Sequence, residues 1–305
     1  MIKYKLILLI IMLLPAIHSL TAQEEESPSM YEIGSFFITV LPEIQQQKNK
    51  DILIGATDDI LKRYIPEGTF PSAVNAFMIE TPDHTILVDA GLGLKLFNHL
   101  KACEKKMEDI DIILLTHLHG DHIGGLLKDG KKSFPAATLY ISQPEYDYWM
   151  NEELMSALPE NKQKSFINAR EVLNIYKDNL YLFVPGETGN TSEELLPDIR
   201  GIAAYGHTPG HTAYLLHSDG EQLLVWGDLT HAMDIQIPCP QVAVTYEVNP
   251  AQAIEARQRL LEYVSESKIR IAGMHIVYPG IGDIKKNSSQ GYDFTLLCTC
   301  EGTFR

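Results

Sequence analysis

Cysteine is scarce, with 4 in 305 residues, which excludes a disulfide-stapled miniature scaffold; a chain of this length can bury a core without one. Basic residues are also in short supply. Lys plus Arg number 25 against 40 Asp plus Glu, a formal charge of -15, and a surface that acidic repels a phosphate backbone, so no nucleic-acid partner is expected. Past the first residues no apolar run approaches the roughly 20 that a membrane span requires. There is no short repeat and no low-complexity linker, so one domain within residues 23–305, structured from about residue 30, is the economical reading. What remains, 45% hydrophobic and 21% charged, is a globular composition that excludes disorder as the main state.

The N-terminus reads as an export signal. Lys3 and Lys5 make a positive start, Leu6 to Leu14 are apolar without a break, and Leu20-Thr21-Ala22 offers a small residue for cleavage. Residues 1–22 are therefore expected to leave, with the mature chain starting near Gln23 in the periplasm or outside the cell; an uncleaved anchor is the competing reading. Cys103, Cys239, Cys298 and Cys300 would then meet an oxidising compartment, where sequence alone cannot choose among about three pairings.

Hydrophobic patterning predicts strands at Phe36–Leu41, Val74–Glu80, Thr85–Asp89, Ile110–Leu115, Thr138–Ser142, Tyr181–Val184, Ile199–Ala204, Thr212–His217, Gln222–Trp226 and Ile269–Ala272. Helices are predicted within 58–64, from Pro144 to about Ile175 with a break at Pro159, and over Ala251–Ser265, with Glu255, Arg257 and Arg259 on the wet face of the last. Residues 42–72 form a long mixed excursion of the kind that often covers a site.

The chemistry concentrates in Thr116-His117-Leu118-His119-Gly120-Asp121-His122, directly after the apolar run ending at Leu115. An extended segment presents His117 and His119 on one side, and Gly120 lets the chain turn so that Asp121 and His122 face the same space. Imidazole nitrogen and carboxylate oxygen suit zinc and other first-row divalent ions. Gly206-His207-Thr208-Pro209-Gly210-His211, Gly227-Asp228 and Gly273-Met274-His275 each stand beside a predicted strand end, where loops carry function. His18, His84, His99 and His217 fall outside this set.

In these motifs and their order, with Val88-Asp89-Ala90-Gly91 ahead of them, the chain resembles the metallo-β-lactamase superfamily over nearly its whole length past the leader. The resemblance implies an α+β fold, the four-layer αββα sandwich. It also implies two divalent ions, Zn2+ first with Mn2+, Fe2+ or Co2+ as alternatives. His117, His119 and His211 would hold one, Asp121, His122 and His275 the other, and Asp228 would bridge them around a shared hydroxide. His207 and Asp89 would orient these ligands. The aspartate bridge argues against β-lactam hydrolysis and is similar to the branch of acyl-homoserine lactonases, methyl parathion hydrolase and glyoxalase II. Ser72-Ala73-Val74-Asn75-Ala76-Phe77 and Tyr278-Pro279-Gly280-Ile281-Gly282 resemble the first two of these.

His231 stands three residues after Asp228, where many lactonases carry tyrosine; the resemblance makes it a donor to the leaving group. Trp149 matches an aromatic that walls an apolar pocket. The expected protein is an exported binuclear hydrolase of a lactone, ester or phosphotriester, with Asp121, Asp228 and His231 in the chemistry. A thioester hydrolase of the glyoxalase II type and a mono-iron oxygenase of the same fold are the alternatives. A small-molecule substrate, no stable membrane insertion after signal removal, and a homodimer contacted through the long N-terminal stretch complete the expectation.

Overall fold

The computed structural model describes residues 26–188, 194–289 and 291–297. The proposed signal, residues 1–22, and both Cys298 and Cys300 lie outside them. Among the described residues Cys103 and Cys239 are free thiols, and no helix is long and apolar enough to cross a membrane.

Alternation along the central strands determines the layers. In Thr69–Glu80 the side chains of Phe77 and Ile79 enter one core while Ala76 and Met78 enter another; in Thr85–Val88, Ile86 and Val88 part from Leu87 in the same way. In Glu221–Val225, Leu223 and Val225 share the first core with them while Leu224 faces a third. Strands buried on both faces need cover on both faces. One seven-stranded sheet runs Ser29–Ile33, Phe36–Asn49, Thr69–Glu80, Thr85–Val88, Ile112–Leu114, Thr138–Ser142, Leu180–Phe183. The other runs Glu194–Leu196, Ile199–Ala203, Thr212–Ser218, Glu221–Val225, Arg270–Ala272, Ile281–Lys286, Tyr292–Leu296. The sheets meet over the shared core, the helices Leu96–Ala102 and Glu160–Ile175 cover the outer face of the first, and Pro250–Ser267 covers the second. This is the expected α+β, four-layer αββα sandwich.

The structure differs from the patterning in three places. Phe36–Asn49 runs past Leu41 through the polar Gln45-Gln46-Gln47, paired antiparallel with Thr69–Glu80 with one register shift at Glu43, so much of the 42–72 excursion is sheet. The strands Ser29–Ile33, Glu194–Leu196, Ile281–Lys286 and Tyr292–Leu296 lie towards the sheet edges, where one face is wet and the apolar signal weak. Arg257 is fully buried rather than on the wet face of its helix. It donates to the carbonyls of Leu229, Pro240 and Val242 at 2.7 to 2.9 Å and pairs with Glu247.

What remains of the excursion packs as a small cap. The strand Leu53–Ile54 pairs with Ala243–Val244, and Ile65, Phe70, Ala232, Ile235, Cys239 and Val242 form a separate cluster beside the loop that follows Asp228.

Candidate metal centre

The parallel strands Thr85–Val88 and Ile112–Leu114 of one sheet end beside Glu221–Val225 and Arg270–Ala272 of the other, so the loops after all four emerge at one edge of the sandwich. These loops carry Asp89, His117 to His122, Asp228 and His275. A fifth loop, which leads into Thr212–Ser218, brings His207 and His211 to the same edge.

Two overlapping groups result. His117 Nε2 and His207 Nε2 each lie 2.9 Å from His119 Nδ1, and Asp228 Oδ2 is 3.6 Å from His117 Nε2 and 3.2 Å from His207 Nε2. On the other side His122 Nε2 lies 3.2 Å from Asp228 Oδ1, His275 Nε2 lies 3.0 Å from Asp228 Oδ2, and Asp121 is 3.8 Å from both imidazoles. Asp228 is the shared member.

Three of the rings are held from behind. His117 Nδ1 is 3.0 Å from Thr116 Oγ1, His122 Nδ1 is 2.6 Å from Asp89 Oδ2, and His275 Nδ1 is 2.7 Å from the Ala73 carbonyl. For His122 and His275 an oxygen acceptor holds the Nδ1 proton, which leaves the Nε2 lone pair facing the cluster. Asp89, with a left-handed backbone (φ 58), also accepts the Thr116 N–H at 2.8 Å and the Thr116 hydroxyl at 2.7 Å. It thereby ties one ligand loop to the other, in the orienting place the sequence implies.

The expectation for the pair in Gly206–His211 is corrected. His211 is outside the groups and His207 is inside. His211 Nδ1 is 2.9 Å from the Ala204 carbonyl, and its Nε2 accepts the backbone N–H of Asp228 at 2.9 Å, so both ring nitrogens are engaged. Its function is to set the main chain of Asp228. Gly227 makes room for it: a Cβ there would stand 2.4 Å from His211 Nε2.

Trp149 is also corrected. It is buried in the core against Phe166, donates its indole N–H to Glu145 at 2.6 Å and meets the edge of the His119 ring, rather than walling an open pocket. His231 does join the cluster: its Nε2 is 3.1 Å from Asp228 Oδ2 and its ring stacks on His275 at 4.5 Å. Gln236 fixes the loop by accepting the N–H groups of His231 and Ala232 and donating to the Val242 carbonyl.

The electrostatics suit a cation. Burial holds His117 well below its usual range, and burial with the neighbouring His207 holds His119 down to about 3, so both offer neutral rings. Burial, the largest single influence, would lower His122 and His275 too, but Asp228 together with Asp89 and Asp121 around His122, and with Asp121 beside His275, outweighs it and raises them. Burial works against the Asp228 charge, yet His122 and His275, both raised, hold its carboxyl well below the carboxylate range. His122 Nε2 and Asp228 Oδ1 are buried without a hydrogen-bond partner among the described residues, as atoms facing a metal ion would be. The donor set of imidazoles and carboxylates fits first-row divalent ions.

An αββα sandwich carrying eight clustered histidine and aspartate donors at one sheet edge has the build of a metal-dependent hydrolase. The chain belongs to the metallo-β-lactamase superfamily, whose family model matches residues 69–265. Among solved structures it is similar to the hydrolase AbOPH, with a TM-score of 0.78 and 27% identity, covering 89% of this chain and 98% of that one. It shares its fold with AidC, a dizinc quorum-quenching lactonase, at a TM-score of 0.79 and 24% identity over the same shares. It is also 30% identical over 155 residues to the anti-Pycsar protein Apyc1 of Paenibacillus sp. (strain J14), a match covering 48% of this chain and 57% of that protein. The chain spans about a third to three-fifths of the length of curated relatives it matches.

Proposed function

We propose that the protein is a two-metal hydrolase that opens a lactone or cleaves an ester, with phosphotriesters as accepted analogues. The observation that carries this reading is the position of Asp228, whose two oxygens each lie within 3.2 Å of a histidine nitrogen from the second group while Oδ2 also faces the first. His117, His119 and His207 would hold one ion and Asp121, His122 and His275 the other, with Asp228 between. Two divalent cations so held supply Lewis acidity and bring the pKa of water toward about 7.

The chain's own residues do the rest. Asp89 and the Ala73 carbonyl keep His122 and His275 in the tautomer that faces inward. Burial holds His231 well below its usual range despite Asp228, so it is a neutral imidazole at physiological pH, suited to donate one hydrogen bond to the departing oxygen. Tyr246 packs on His231 at 5.6 Å, and Tyr246 and Val248 stay substantially exposed on a segment anchored by the Val248 N–H to the His207 carbonyl. These two side chains give the site an apolar rim for an acyl chain. AbOPH, named a hydrolase, and AidC, named a lactonase, support the bond type. Export to the periplasm or beyond is part of the proposal and rests on residues 1–22.

The test is a single panel of lactones, aryl esters, phosphotriesters and thioesters offered to zinc-loaded protein. Turnover of lactones and esters ahead of thioesters is expected. A protein that turns over thioesters alone, or that holds one iron and consumes oxygen, would replace this reading with one of its rivals.

A further inference from the structure

Glu145 is a fully buried carboxylate that belongs to neither ligand group. It sits in the first turn of the helix Gln143–Met150. Its Oε1 accepts the Leu118 N–H at 3.0 Å and the Trp149 indole N–H at 2.6 Å; its Oε2 accepts the Thr208 hydroxyl at 2.6 Å and the Gly210 N–H at 3.0 Å. Leu118 lies between His117 and His119, and Thr208 follows His207. One side chain therefore joins the two loops that present all three imidazoles of the first group. Its neighbours tighten the same joint. Ser142 Oγ accepts the Glu145 N–H and donates to the Gly210 carbonyl at 2.6 Å, and a Cβ on Gly210 would lie 2.1 Å from the Glu145 nitrogen.

A buried ionised carboxylate is costly unless its lone pairs are filled. Here four donors from three stretches of chain fill them, and the second group has separate supports, Asp89 for His122 and the Ala73 carbonyl for His275. We propose that Glu145 is a positioning residue that sets the spacing of His117 and His119 against His207, and so governs the affinity of the first metal position without governing the second. This rests on the two-metal reading above.

Glu145→Gln keeps the shape and replaces one oxygen by an NH2 donor, which must face either Leu118 and Trp149 or Thr208 and Gly210, donors in both cases. The variant is measured by zinc titration in two backgrounds, His275→Ala, which leaves the first group intact, and His207→Ala, which leaves the second. Glu145→Gln should weaken zinc binding about 10- to 100-fold in the first background, the usual range for loss of a ligand's supporting partner, and leave it unchanged in the second. The Co2+ absorption spectrum should shift only in the first. Thr208→Val, which deletes one of the four hydrogen bonds, should weaken the same position to a smaller degree, and it decides the matter if Glu145→Gln does not fold. Equal weakening of both positions, or of neither, overturns the positioning assignment. A parent chain that binds no zinc overturns the two-metal reading and this inference with it.

Discussion

His207 and His211 share one six-residue loop and have opposite duties. With both of its nitrogens engaged, His211 has none left for a cation, whereas His207 Nε2 points at His119 and Asp228. His207→Ala should cost one metal equivalent and about 100-fold or more in turnover, while His211→Gln should keep both equivalents in place and lower the thermal midpoint; elemental analysis beside a melting curve checks both. Protons provide a second test. Asp228 and Asp121, joined by Asp89 at His122, raise His122 and His275 against burial, so in the metal-free chain these rings keep protons that they must lose to become ligands. Zinc uptake should therefore release protons and weaken as pH falls through their raised range, an effect read by calorimetry in buffers of different ionisation enthalpy. Heat that is independent of the buffer would contradict it. The sequence made His117, His119, Asp121, His122, Asp228 and His275 legible as donors because their types and strand-end positions need no partner to be recognised. The resemblance ranked His211 ahead of His207, and the geometry reverses that order because it depends on what lies behind each ring.

Among the elements, the helix Pro250–Ser267 shows what a pattern can hide. Its apolar stripe reads correctly, but Arg257 falls within the buried face. There its guanidinium gathers the carbonyls of Leu229, Pro240 and Val242 and the carboxylate of Glu247, and so fastens the loop that carries His231. Glu145 in Gln143–Met150 is a second buried charge on a helix. A charge in an amphipathic helix is expected to face water, and only tertiary contacts reveal one that does not. Arg257→Ala would leave the buried Glu247 carboxylate without its cationic partner, and a loss of about 3 to 5 kcal/mol in unfolding free energy is expected, checked by urea denaturation at pH 7. A loss under about 1 kcal/mol would mean that the network does not hold the loop. The edge strands escaped the sequence for a different reason: Ile281–Lys286 and Tyr292–Leu296 expose about half of their residues, so their alternation is interrupted by charge.

At the scale of the whole molecule, two sheets close over a shared core and bring their loops to one edge, with the cap formed by residues 53–70 and 232–242 beside it. That layering was legible because buried strands write a period of two into the chain. Of the cap only the helix Asp58–Tyr64 was legible, since short segments of mixed polarity such as Leu53–Ile54 carry no period. Under the proposed function the exposed Tyr246, which packs on His231, would contact the acyl chain of the substrate. Tyr246→Ala should raise KM for a long-chain lactone or ester roughly fivefold to tenfold, the loss of one apolar contact surface, while kcat and metal content stay as they are; steady-state kinetics on a short-chain and a long-chain substrate separates this from damage to the centre. The account as a whole is tested most directly by an anomalous difference map from a crystal of the zinc-loaded protein. Two peaks about 3.5 to 4 Å apart on either side of the Asp228 carboxylate, one against His207 and the other against His275, are predicted; a single peak, or a pair in which His211 replaces His207, would contradict it.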